Sequence, residues 1–231
     1  MNPKDRLIVA LDVDSREKAV RLVEELGPHV GMFKVGKELF TSEGPEIVRD
    51  IVGGGGKVFL DLKFHDIPNT VAKAVGAASR LGAFFVTLHV SGGRAMLEAA
   101  ASALPAEGTQ LLGVTVLTSH TDESLKEVAA AGTVAETVRR LAILARESGI
   151  DGVVCSPHEV RSIREAVGDG LLIVTPGIRP SGAALGDQAR VTTPLEALQL
   201  GCDYIVVGRP ITAASSPKDA AKAIVEELSR G

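Results

Sequence analysis

Short β-branched and apolar runs alternate with longer segments carrying a 3.6-residue apolar stripe along the whole chain, and this alternation restricts the fold more than any other feature. The strand-like runs fall at residues 7–13, 32–36, 58–63, 84–90, 111–117, 152–156, 171–175 and 204–207. Segments of helical composition occupy residues 15–26, 45–52, 71–81, 94–103, 135–148, 157–167, 194–200 and 217–229. Eight strands, each followed by a helix, predict an α/β chain closed as a (β/α)8 TIM barrel. A doubly wound open sheet is the competing arrangement. No GxGxxG fingerprint follows a strand, and the run Gly53-Gly54-Gly55-Gly56 precedes one, so the barrel is the expectation. A length of 231 residues suits one such core, and residues 1–231 are expected to form a single barrel domain.

Charge and composition exclude several classes of function. A net charge of −4 provides no chain-wide attraction to nucleic acid or to an anionic membrane, so any anion site must be built locally. The first apolar run, beginning at Leu7, stops at Asp12, and no stretch approaches about 18 apolar residues. The expectation is a soluble cytoplasmic protein without membrane or nucleic-acid partners. Cys155 and Cys202 sit in apolar surroundings without CxxC spacing, which predicts reduced buried thiols and no zinc. Residues 31–38 read GxxxxGK, but Glu38 stands where a Walker A loop needs a hydroxyl, and the match lies mostly on a strand.

Barrel enzymes carry their chemistry at the C-terminal ends of the strands. Side chains alternate along a strand, so Phe59, Asp61 and Lys63 should project into the barrel while Leu60 and Leu62 face the helices. The same parity turns Ile8, Ala10 and Asp12 inward, with Met32 and Lys34. Asp12, Lys34, Asp61 and Lys63 are therefore expected at one mouth. Two readings fit them: an ion-pair cluster closing the barrel top, or a reactive array, which better repays the several kcal/mol that burying each charge costs. An ammonium set among carboxylates is a proton donor and a cation beside any carbanion. Asp66, three residues on, is either a helix cap ahead of Pro68 or a member of the array. His65 reads as a hydrogen-bonding residue and His89 as a core or supporting one. Gly208 and Arg209, with Pro210 after strand eight, read either as a phosphate grip or as a strand-end turn with a surface arginine. The polar segment 179–193, containing Gln188, lacks periodicity and could close over a ligand.

Taken together, Leu11-Asp12-Val13-Asp14, Phe33-Lys34-Val35-Gly36, the run from Asp61 through Lys63, His65 and Asp66 to Thr70, Leu117-Thr118-Ser119, Thr175-Pro176-Gly177-Ile178-Arg179 and Val207-Gly208-Arg209-Pro210 resemble the bacterial type of orotidine 5'-phosphate decarboxylase over the whole chain. The DxKxxD core is shared by a wider group of phosphate-binding barrels; the full set in this order is more specific. The resemblance implies decarboxylation of orotidine 5'-phosphate to UMP in pyrimidine biosynthesis, with no metal and no cofactor. It implies that Lys63 protonates C6 within the catalytic set Lys34, Asp61, Lys63 and Asp66. It implies a homodimer in which Asp66, Ile67 and Thr70 reach the partner's site. Asp12 and Lys34 would hold the ribose hydroxyls, Thr118 the pyrimidine edge, and Gln188, Gly208 and Arg209 the phosphate, with Arg179 assisting. The nearest rival is a magnesium-dependent sugar-phosphate decarboxylase or aldolase of the same barrel group, against which Lys34, the Thr118 segment and residues 65–70 argue. A non-catalytic nucleotide-binding barrel is the alternative from another class.

Overall fold

Strands form where Val, Ile, Leu and Phe supply side chains that can be buried on both faces of a parallel sheet. The computed structural model describes residues 1–128, 132–180 and 192–231. Among these, β1 (Leu7–Ala10), β2 (Met32–Gly36), β3 (Val58–Phe64), β4 (Phe85–His89), β5 (Gln110–Val114), β6 (Gly152–Val154), β7 (Leu172–Thr175) and β8 (Tyr204–Val207) pair in sequence order, and β8 pairs with β1 to close the barrel. Every pairing is parallel. The helices are α1 (Arg16–Leu26), α2 (Lys37–Glu43), α3 (Glu46–Gly53), α4 (Pro68–Arg80), α5 (Arg94–Ser102), α6 (Asp122–Glu127), α7 (Val134–Glu147), α8 (Val160–Val167), α9 (Pro194–Leu200), α10 (Arg209–Thr212) and α11 (Pro217–Leu228). The expected (β/α)8 barrel is what the chain forms.

Boundaries moved for local reasons. The first and fifth strands end earlier than expected, because an apolar run reports burial rather than pairing: Val116 is buried although β5 stops at Val114. The helix expected at 71–81 starts at Pro68, whose fixed φ suits a first helical turn. The segment 157–167 divides into a 3-10 turn, Pro157–Glu159, and α8. The helical turn that Pro210 suggests forms as α10, whereas the short helices α2 and α6 carry no signal in the sequence; six or seven residues are too few to show a period.

Two apolar cores result. The larger lies between strands and helices and includes Val9, Leu60, Val86, Ile173 and Ile224. The smaller fills the bore with Ile8, Ala10, Met32, Phe59, Phe85, Leu112, Val174 and Val206. Phe85 meets Phe59 and Tyr204 edge-on, at ring separations of 6.0 and 5.3 Å. Ile8 is in register with Met32, and one layer further on Ala10 is in register with Lys34. Lys34 in turn pairs with Phe59 and Gly36 with Asp61. The bore thus changes from hydrocarbon to charge as it approaches the C-terminal ends of β1 to β3.

Candidate active site

The four charges expected at the mouth meet there as a continuous chain. Lys34 Nζ lies 3.0 Å from Asp12 Oδ1 and 3.8 Å from Asp61 Oδ2, and Lys63 Nζ lies 2.7 Å from Asp61 Oδ1. The central Lys34 and Asp61 side chains are each only 12% exposed. Gly36 leaves room beside this chain: a Cβ there would stand 3.0 Å from the Lys34 ammonium, which would have to give by a few tenths of an ångström.

Lys63 does not arrive by the uninterrupted alternation expected of β3. Leu60 pairs with Val86 but Phe64 with Leu88, so three residues of β3 stand opposite one of β4. Lys63 occupies this bulge with φ +56°, the one non-glycine residue at positive φ among the described residues. A left-handed conformation costs a side-chain-bearing residue roughly 1–2 kcal/mol, and such strain concentrates at functional sites. The bulge, rather than simple parity, aims the lysine back at Asp61. Thr87 of β4, fully buried, accepts a hydrogen bond from the Lys63 backbone N–H at 2.9 Å and donates one to Asp61 Oδ1 at 3.0 Å. Nothing in the sequence distinguishes Thr87 from any other β-branched strand residue.

His89 ends β4 beside this group. Burial, followed by the neighbouring His65, Lys63 and Lys37, holds its imidazole below the usual histidine range, so it adds little positive charge. His65 is exposed, and its ring packs 5.4 Å from that of His89. Asp66, Ile67 and Thr70 are exposed as well, and Ile67 is 66% exposed. Asp66 Oδ1 accepts the Ile67 N–H at 2.7 Å, while Ile67, not Asp66, occupies the cap position of α4. Within one chain, then, these three residues are not brought into the charged chain.

The loop after β8 is. A Cβ on Gly208 would lie 3.4 Å from Asp12 Oδ2 and 3.5 Å from Ala10 Cβ, so this glycine backbone borders the charges directly. Arg209 is exposed and begins the helical turn α10. Arg179, after β7, is buried, and its Nη1 donates to the Ile178 carbonyl at 3.3 Å. Ile178 bridges to Thr192, and Arg179 N–H donates to the Thr192 carbonyl at 3.1 Å, which draws together the two ends of the segment expected to cover a ligand. Gln188 lies outside the described residues. Thr118 is exposed in the loop after β5, on the rim. The thiols of Cys155 and Cys202 are buried and unbridged; burial pushes the Cys202 thiol up to about 12.

Compared with known proteins, residues 5–224 match the model of the Orotidine 5'-phosphate decarboxylase / HUMPS family. The chain belongs to this family. Among orotidine 5'-phosphate decarboxylases, that of Moorella thermoacetica is 53% identical over 236 residues, covering 99% of this chain and 94% of that protein. That of Halorhodospira halophila is 56% identical over 225 residues, covering 96% and 95%. The crystal structure of the Lactobacillus acidophilus orotidine 5'-phosphate decarboxylase superposes with a TM-score of 0.86 at 44% identity, covering 96% of this chain and 98% of that one.

Proposed function

We propose that this chain is a carbon–carbon lyase that decarboxylates orotidine 5'-phosphate to UMP, and that Lys63 supplies the proton. One observation carries the chemistry: the Lys63 ammonium, on a strained backbone, is held 2.7 Å from Asp61 at the end of the array Asp12, Lys34, Asp61 and Lys63. When carbon dioxide leaves, the C6–carboxyl bond breaks and its electron pair stays on C6, where delocalisation is slight. The ammonium meets charge that exists only at that stage and gives C6 its proton. Loss of one preorganised donor of this kind typically costs about 3–4 kcal/mol of transition-state stabilisation.

Asp12 and Lys34 hold the ribose hydroxyls in this reading, and Thr118 the pyrimidine edge. Gly208, Arg209 and Gln188 take the phosphate, with Arg179 assisting; the closeness of the Gly208 backbone to Asp12, where an added Cβ would meet the carboxylate, supports a single continuous nucleotide track. Phosphate binding is remote from the broken bond, so its energy can order the array. Asp66 joins the catalytic set from a second copy of the chain, together with Ile67 and Thr70. The exposure of all three, including a large apolar side chain, supports a homodimer with shared sites. We read residues 1–231 as one domain acting in the cytoplasm. Two unbridged buried thiols suit a reducing compartment, and among the described residues no helix is long and apolar enough to cross a membrane.

The magnesium-dependent rival is disfavoured by Lys34, whose ammonium stands between Asp12 and Asp61, where a divalent ion would have to share those carboxylates. The deciding experiment follows pyrimidine absorbance with purified protein and orotidine 5'-phosphate, with and without EDTA. Turnover indifferent to chelator is expected. A folded protein that is silent, or that EDTA inactivates, would overturn the reading.

A further inference from the structure

The bulge at Lys63 raises the question of what holds it. In a regular strand the Lys63 N–H would join the ladder; here it turns to the Thr87 hydroxyl, 2.9 Å away on the neighbouring strand. A hydroxyl has one proton to give, and this one is directed at Asp61 Oδ1, 3.0 Å away. The same carboxylate oxygen receives the Lys63 ammonium at 2.7 Å. Three hydrogen bonds therefore close a ring that runs from the lysine backbone through Thr87 and Asp61 to the lysine head. Thr87 has no exposed surface, so solvent has no ready route to replace its hydroxyl.

We propose that Thr87 is the positioning residue that sets Lys63 for proton delivery, an inference that rests on the assignment of Lys63 as the donor in the decarboxylation above. Four rotatable bonds separate the lysine backbone from its ammonium. Fixing the head alone would leave the backbone free to relax toward an extended strand, and fixing the backbone alone would leave the head free to sweep the mouth. Thr87 acts on both ends at once, because one oxygen anchors the strained N–H and orients the carboxylate that receives the ammonium. Its methyl group, by contrast, can neither donate nor accept such a bond. Without the hydroxyl, the Lys63 N–H loses its partner in a buried setting, the bulge relaxes, and the ammonium shifts from where charge develops. Binding at the phosphate and ribose ends is untouched, so the defect belongs in turnover rather than affinity.

The test compares Thr87→Val, which keeps the shape and removes the hydroxyl, with Thr87→Ser, which keeps the hydroxyl. Melting temperature, kcat and KM for orotidine 5'-phosphate and the dissociation constant of UMP are measured for both. Misplacement of a catalytic group by about 1 Å can cost on the order of 100-fold, and a loss of that size in kcat is expected for Thr87→Val, with KM and UMP affinity within about threefold of wild type. Thr87→Ser should retain kcat within about threefold of wild type by the same criterion. Thr87→Val with wild-type kcat, or Thr87→Ser as impaired as Thr87→Val, overturns the inference while leaving the decarboxylase reading intact. Wild-type protein without turnover removes both. If Thr87→Val does not fold, Thr87→Ala takes its place beside Thr87→Ser and the same comparison decides; a folded Thr87→Ser that loses turnover overturns the inference by itself.

Discussion

Lys34 Nζ lies 3.0 Å from Asp12 Oδ1, yet the lysine side chain is 12% exposed and the aspartate 54%. The two partners are therefore unequal. Asp12→Asn leaves Lys34 with Asp61 still 3.8 Å away. Lys34→Ala leaves two carboxylates facing each other across the vacated cation. Asp12→Asn is expected to raise KM roughly 10-fold with a smaller effect on kcat, whereas Lys34→Ala should lower kcat/KM by about 100-fold or more. Steady-state kinetics on the two variants check this ordering, and Lys34→Ala no worse than Asp12→Asn contradicts it.

If Asp66 serves the partner's site, two inactive variants should repair each other. Lys63→Ala and Asp66→Ala are each expected to be nearly silent alone. After unfolding and refolding together, half of the dimers are mixed and each mixed dimer holds one intact site, so about a quarter of wild-type activity should return. Absence of recovery, with mixed dimers demonstrated by tagging, would place Asp66 in its own chain's site or in neither.

The opposite end of the barrel makes a contrasting prediction. Arg164 of α8 donates to Asp203 Oδ2 at 2.6 Å and to the carbonyls of Leu171 and Gly201 at 2.7 and 3.0 Å, while Asp203 Oδ2 also accepts the Ile173 N–H at 2.7 Å. These contacts tie the starts of β7 and β8 to a helix, on the face that serves stability rather than chemistry. Arg164→Met should cost about 2–4 kcal/mol by leaving a partly buried carboxylate and several carbonyls without their donor. Urea midpoints measure the loss, and kcat of the folded variant should match wild type. A kcat that falls in step with stability would refute this separation of faces.

Glu159 should make stability depend on pH. Burial raises its carboxyl from 4.5 to about 7, against a weaker opposing effect of the hydrogen bond it accepts from the Ser156 N–H at 2.9 Å. The folded chain then holds this proton more tightly than the unfolded one. The contribution is fully present below about 4.5, is lost as pH rises toward 7, and stays lost above it. Glu159→Gln keeps an acceptor for Ser156 and cannot ionise. It should match wild type near pH 4.5 and exceed it by about 2–3 kcal/mol at pH 8, discounted for partial exposure. Denaturant melts at the two pH values give the difference, and a constant offset between the proteins would be inconsistent with this origin.

Much of this arrangement could be read from the chain before any coordinates. Period-two alternation placed Ile8, Ala10, Met32 and Phe59 in the bore, where they are found, because a strand packed on both faces leaves its inward residues no other place. The same parity brought Lys34 and Asp61 together. It reached Lys63 for an incomplete reason: a lysine in left-handed backbone has no local sequence signature, since glycine or asparagine is the usual occupant. Thr87 escaped notice because its role depends on which strand lies beside it and on a bulge in that strand. Asp66 illustrates a different limit. Its placement in a partner's site came from resemblance, and one chain alone shows only an aspartate turned back on the Ile67 N–H.

The apolar plug of Phe59, Phe85 and their neighbours has a kinetic consequence. It seals the barrel beneath the charges, so water cannot reach Lys63 from the far end. If Lys63 is the proton donor proposed above, each proton it surrenders must be replenished through the rim, by the doorway that carbon dioxide and nucleotide also use. Emptying the pocket and recharging its acid are thus parts of one traffic through a single opening.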